Sequence, residues 1–226
     1  MTDIQAAITA LSRIAGPGAL TKSIGSVERK LVGMTSQEAR RQAEEVGFSS
    51  DALVAAQQVK ALAGQVNVII HAAGILVSLP HILGKDERIE ALSLGAGNTG
   101  RAYDLTTNKQ VAEFKFTEWR GGAEPIRQNE LFVDLFNLAT AQTGKRRVMY
   151  VVGKTIPLRF LENRRAIDSV LSHHSALKTR FAELHGDRYK TVNQYWHTIR
   201  DVVEIVDLRE LVPELNPAGF ADDHHP

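Results

Sequence analysis

Three side chains in the stretch GRAYDLTTNKQVAEFKF, residues 100 to 116, have types and spacing able to do chemistry: Asp104, Glu113 and Lys115. Strand side chains alternate between faces. On a first strand Asp104 lies between Tyr103 and Leu105. On a second, Glu113 and Lys115 alternate with Ala112, Phe114 and Phe116. If the apolar residues share the core face, the three charged ones share the other. With Asn108 and Lys109 as a two-residue turn, Asp104 pairs directly with Glu113, and any loop of even length keeps them on one face. Opposed carboxylates repel, which points to something positive between them. A hard cation, magnesium or manganese, takes oxygen ligands and keeps several waters. Asp104, Glu113 and the main-chain carbonyl of Phe114 would be the protein's share. Such a metal acidifies a bound water and neutralises charge on a phosphodiester. Lys115 is placed to orient that water and stabilise developing negative charge. The competing reading is a solvated hairpin carrying a Glu–Lys pair of no consequence.

The surrounding elements must position these groups. Residues 1 to 50 read as a helical N-terminal extension, broken at Gly16-Pro17-Gly18 and near Gly33, with Thr35-Ser36-Gln37-Glu38 as a capping box. Ser49 or Ser50 caps the next helix, which turns apolar past Gln65 as if entering a core. ERIEALSLGAG, residues 87 to 97, suggests a strand running into a glycine-rich turn ahead of the hairpin. Pro125 suits the first turn of a helix reaching about Gln142, with Leu131, Phe132, Leu135, Phe136 and Leu138 as its core stripe. RRVMYVVG reads as a buried strand, followed by helices over roughly 158–173, 175–185 and 189–200 and a late strand in VVEIVDL. Residues 51 to 226 therefore form an α/β domain with a mixed central sheet, a helical C-terminal part and extra helices at both ends.

Composition narrows the function classes. The chain has 226 residues, 43% hydrophobic and 23% charged, as expected of an ordinary globular protein. Its net charge of +1 is too small for a polycation, so a nucleic-acid partner requires a local basic face. Residues 144 to 190, with 11 Lys and Arg against 4 Asp and Glu, are the place to look. The absence of cysteine excludes disulfides, thiolate metal sites and cysteine nucleophiles. The N-terminus lacks the basic region of a signal peptide, and a cytoplasmic location is expected. The apolar run VIIHAAGILVSLPHIL, residues 68 to 83, is short for a membrane span and carries His71, His81 and Pro80. A buried helix is expected there, and no membrane partner.

With these residues in place, the pattern resembles the PD-(D/E)xK nuclease superfamily. That resemblance implies a restriction-endonuclease-like core of helix, three strands, helix and strand over roughly residues 52 to 153. It implies Asp104 as the strand-two aspartate, Glu113-Phe114-Lys115 as the E-x-K element, and Gln128 as the glutamine that many exonuclease-like members carry near the active site. Arg127 beside it, and Trp119-Arg120 just beyond the E-x-K strand, are candidate nucleic-acid contacts: phosphate for the arginines, base stacking for Trp119. Magnesium or manganese is the implied cofactor, and DNA ahead of RNA the implied partner, with a homodimer as an option. Two departures stand out. Tyr103 occupies the position before the aspartate where the family often has proline. No Asp or Glu occurs between residues 52 and 84, where many members place an acid on the first core helix. Glu87 and Glu90 on the following strand are candidate replacements, as is Glu44 or Glu45 if the earlier helix packs there.

Two other readings compete. The missing acid suits a nuclease fold kept as an inactive binding module. Gly95-Ala96-Gly97-Asn98-Thr99-Gly100 matches the G-x-G-x-x-G of nucleotide-binding loops, although the period-two residues that follow do not open a helix.

Overall fold

The computed structural model describes residues 4–15, 20–95, 100–117, 119, 121 and 124–215. The chain divides into two compact units, Met1–Asn67 and Val68–Pro226. The first holds α1 (Ile4–Ala15), α2 (Leu20–Leu31), α3 (Ser36–Glu45) and the opening of α4 (Ser50–Ile82). The capping box is present: Thr35 N–H donates to Glu38 at 2.8 Å, and Glu38 N–H to the Thr35 hydroxyl at 3.4 Å. Ser49 caps α4 by accepting from Ala52 N–H at 3.2 Å.

The second unit carries the remainder of α4, then β1 (Ile89–Leu92), β2 (Leu105–Thr107), β3 (Gln110–Lys115), α5 (Pro125–Ala139), β4 (Arg146–Val151), α6 (Thr155–Leu161), α7 (Ile167–Val170), α8 (Ser175–His185), α9 (Val192–Ile199) and β5 (Val203–Asp207). The expected helices and strands are there, with shifted ends. The run from 158 to 173 is two short helices rather than one. One five-stranded sheet results, ordered β1-β2-β3-β4-β5. β1, β2 and β3 form an antiparallel meander, and β3, β4 and β5 run parallel. The fold is thus α/β with a mixed sheet. The GAGNTG loop lies partly outside the described residues, and no helix follows it before β2.

Both faces of this sheet are covered. Ala112, Phe114, Val148 and Tyr150 pack with Ile75 and Ile82 of α4 and with Leu208 and Val212. Val111, Met149, Val151 and Val203 pack under α5 and the helices that follow β4. The polar face of the hairpin is therefore roofed by a helix rather than washed by solvent. Tyr103 also departs from the alternation. It packs on the α5 side, opposite Leu105, because the chain leaves the regular strand before Leu105.

The apolar run 68 to 83 is buried on one side only. Gly74, Ile75, Ser78 and Ile82 face inward, while Ile69, Ile70, Leu76 and Val77 are exposed. Of the helices in the described residues, α4 is the one long and apolar enough to cross a membrane by length and composition. Close approach to the sheet is made at Gly74, where a Cβ would overlap the ring of Phe116. Gly74→Ala should lower unfolding free energy by about 1–3 kcal/mol. Adding Phe116→Leu should return part of that loss, as read by urea denaturation. An unchanged midpoint for Gly74→Ala would contradict this packing.

Candidate active site

β2 and β3 pair with Leu105 opposite Ala112 and Thr106 opposite Val111. The register places the turn at Asn108-Lys109 and, extended by one residue, Asp104 opposite Glu113, as the loop length requires. Side chains lock the turn. The Thr107 hydroxyl accepts from Lys109 N–H at 3.0 Å and Gln110 N–H at 2.9 Å, and donates to Glu87 at 2.6 Å.

β2 begins at Leu105, so the Phe114 N–H has no ladder partner on that side. Asp104 takes the place of one: its Oδ2 accepts the Phe114 N–H at 3.0 Å. The aspartate thereby lies toward the sheet plane at the strand end. There it meets Glu113 from β3 and His71 from α4. His71 Nε2 is 3.3 Å from Asp104 Oδ1. That nitrogen is buried, and Asp104 is the acidic group it faces. In an extended strand the N–H and C=O of one residue point the same way, so the Phe114 carbonyl is aimed at this edge too. Lys115, on the α5 side of the sheet, forms an ion pair with Asp134 of α5, each side chain 22% exposed.

The cluster holds more negative than positive charge in a poorly solvated place, and its protonation follows. Burial, then the charges of Asp134 and Asp104, push Glu113 up to about 10. At neutral pH its carboxyl is therefore protonated and hydrogen-bonds to Asp104. For Asp104, burial acts upward but is outweighed by the His71 imidazole, the Phe114 N–H and Glu113, which hold it below its ordinary range. Burial would pull the Lys115 ammonium down, but Asp134, Glu113 and Glu130 outweigh it and lift it. Burial also raises Asp134, with Lys115 opposing.

The structure brings Asp104, Glu113 and Lys115 together and adds two residues that sequence reasoning missed. His71 sits on the first core helix, in the stretch where the missing acid was sought. Asp134 is the acidic position in the buried stripe of Leu131, Leu135 and Leu138. A lone carboxylate within such a stripe was the available signal. Gln128 lies elsewhere. Six residues before Asp134, it is about 120° round the helix, and its Oε1 accepts from Arg165 at 2.9 Å. Arg127 pairs with Glu124 at the start of α5. Trp119 is 9% exposed and belongs to the core, so its ring is not offered for stacking. Arg120 lies outside the described residues. Glu90 pairs with Lys145 at the opposite end of the sheet and does not replace the missing acid.

These groups suit a hard cation in their donor chemistry. Ligands at about 2.1 Å in octahedral geometry stand about 3 Å apart, close to the His71–Asp104 separation of 3.3 Å. Among the described residues, however, no three His, Asp or Glu side chains already converge as a ligand set.

The raised Glu113 carries a sign. Its folded value lies above the 4.5 of a free glutamate, so the folded state holds a proton that the unfolded state gives up. Stability falls as pH rises from about 4.5 toward about 10. Glu113→Gln should flatten that fall and be the more stable form at pH above roughly 7, by urea denaturation across pH. Parallel curves for the two proteins would contradict the burial of this charge. Compared with known proteins, the chain matches no protein family, no curated protein and no solved structure.

Proposed function

We propose that the chain is a metal-dependent nuclease of the PD-(D/E)xK type that hydrolyses phosphodiester bonds of nucleic acid, DNA ahead of RNA. The observation that carries this reading is the hairpin register that sets Asp104 beside Glu113, with His71 Nε2 3.3 Å from Asp104; burial and the neighbouring charges hold a proton on Glu113. A divalent cation is the ordinary alternative to that proton. The element order α4, β1, β2, β3, α5, β4 supports a restriction-endonuclease-like core.

Asp104, Glu113, the Phe114 carbonyl and His71 Nε2 would hold magnesium or manganese. The bound metal would supply a water acidic enough to attack at neutral pH and would offset charge on the phosphate. Asp104 is already ionised and fixed by the Phe114 N–H, which orients it at little further cost. His71 stands where the family's helix acid is missing. Lys115 is charged, one strand repeat from Glu113, and presents an ammonium to an oxygen that gains negative charge. Arg127, 44% exposed at the start of α5, and the basic stretch from 144 to 190 are the candidate contacts to the nucleic-acid backbone.

A second reading is a binding module that keeps the fold without cleaving. The incomplete ligand set among the described residues favours it. Incubation with linear and circular DNA in magnesium or manganese separates the two. Cleavage should fall at least about 100-fold in Lys115→Ala, with an unchanged circular-dichroism spectrum. Undiminished cleavage by that variant would refute the catalytic assignment. Wild-type protein that binds DNA and manganese but cuts neither substrate would establish the binding module.

A further inference from the structure

Asp134 is used by nothing in the scheme above, yet it makes the closest contact to Lys115 in the cluster. We propose that Asp134 is the positioning residue for Lys115, holding its ammonium on the α5 side of β3 beside Glu113. As far as catalysis is concerned, this rests on the nuclease reading. The contact itself does not.

A lysine at a strand end has four rotatable bonds and ordinarily extends into water. Confining it costs rotamer freedom, so a fixed ammonium needs a fixed partner. α5 provides one. Leu131, Phe132, Leu135, Phe136 and Leu138 are fully buried and hold the helix on the sheet. Asp134 therefore projects from a rigid element toward β3. Glu130, one turn earlier on the same helix, adds negative charge toward Lys115. Two other acids are within reach of this region, Glu113 on β3 and Asp104 ahead of β2, and both belong to the metal-facing group. His71 faces that group from α4 through Asp104.

The consequence is a division of labour between carboxylates. With Asp134 as its partner, Lys115 need not pair with Glu113, and Glu113 stays available to a cation. Removing Asp134 would take away one of the charges that keep Glu113 protonated, so Glu113 would ionise more readily and become the counter-charge to Lys115. The lysine would then turn toward the metal-facing carboxylate and away from the reacting oxygen.

The test compares wild type, Asp134→Asn and Asp134→Glu. The first readout needs no activity: the Nζ resonance of Lys115 in nitrogen-15-labelled full-length protein, assigned by its loss in Lys115→Arg. An ammonium held in a half-buried pair exchanges slowly enough with water to be seen. That resonance should be present in wild type, lost or strongly shifted in Asp134→Asn, and restored in Asp134→Glu. The second readout is magnesium-dependent DNA cleavage. Asp134→Asn should lower kcat by roughly 10- to 100-fold, with little change in KM, and Asp134→Glu should recover most of it. An unmoved Lys115 resonance in Asp134→Asn would overturn the proposal. So would a rise in KM alone, because that is the signature of weakened substrate binding. If wild type shows the resonance but cuts no DNA, the nuclease reading fails and the positioning role stands. If Asp134→Asn does not fold, Asp134→Glu decides: a wild-type resonance supports the pairing, and its absence removes it.

Discussion

Buried like charge is the constraint around which this molecule is organised. Asp104, Glu113 and Asp134 crowd one end of the sheet, with Lys115 as the cation in their midst and His71 against Asp104. Left ionised, three carboxylates in a poorly solvated place would cost several kcal/mol each. The fold answers in three ways: an ammonium for Asp134, a main-chain N–H and an imidazole for Asp104, and a proton for Glu113. On the proposed metal-dependent reading, the proton is the element that a divalent ion would replace. A buried carboxyl perturbed by desolvation and by specific charged partners is a functional-site candidate.

Each part of the arrangement follows from ordinary backbone rules. The two-residue turn sets the register, and the register sets Asp104 against Glu113. The short β2 leaves the Phe114 N–H free, and that free donor draws Asp104 into the sheet plane. The parallel pairing of β3 with β4 brings the crossover helix α5 over Glu113 and Lys115. Gly74 lets α4 lie against Phe116, which brings His71 within reach of Asp104. A change in any of these would move one charge out of the group and leave another without its counterpart.

Much of this was legible in the residues. The hairpin register, the helix beginning at Pro125, the buried β4 and the mixed sheet all rest on local periodicity and turn chemistry, which act over a few residues. The parts that were not legible depend on distant contacts. Nothing near Asp134 in the chain says that a lysine 19 positions earlier will meet it. His71 reads as one polar residue in an apolar run until the sheet is laid beside it. Trp119 and Gln128 mislead for the same reason: their neighbours in sequence are polar, while their surroundings in space are the core and Arg165. The competing reading of a solvated hairpin does not hold because alternation tells which side a residue is on, not what covers that side. The burial expected along 68 to 83 held for one helix face alone, since a helix laid on a sheet covers only the stripe that touches it.

The exchange of a proton for a cation proposed at Glu113 can be tested directly. Titration of manganese into the protein at pH 7.5, by calorimetry in buffers of different ionisation enthalpy, reports the protons released per ion bound. Wild type should release about one, the proton of Glu113, and Glu113→Gln should release none while binding more weakly. Manganese binding with no proton released, or release unchanged in Glu113→Gln, would show that the paired carboxylates are not where a cation goes.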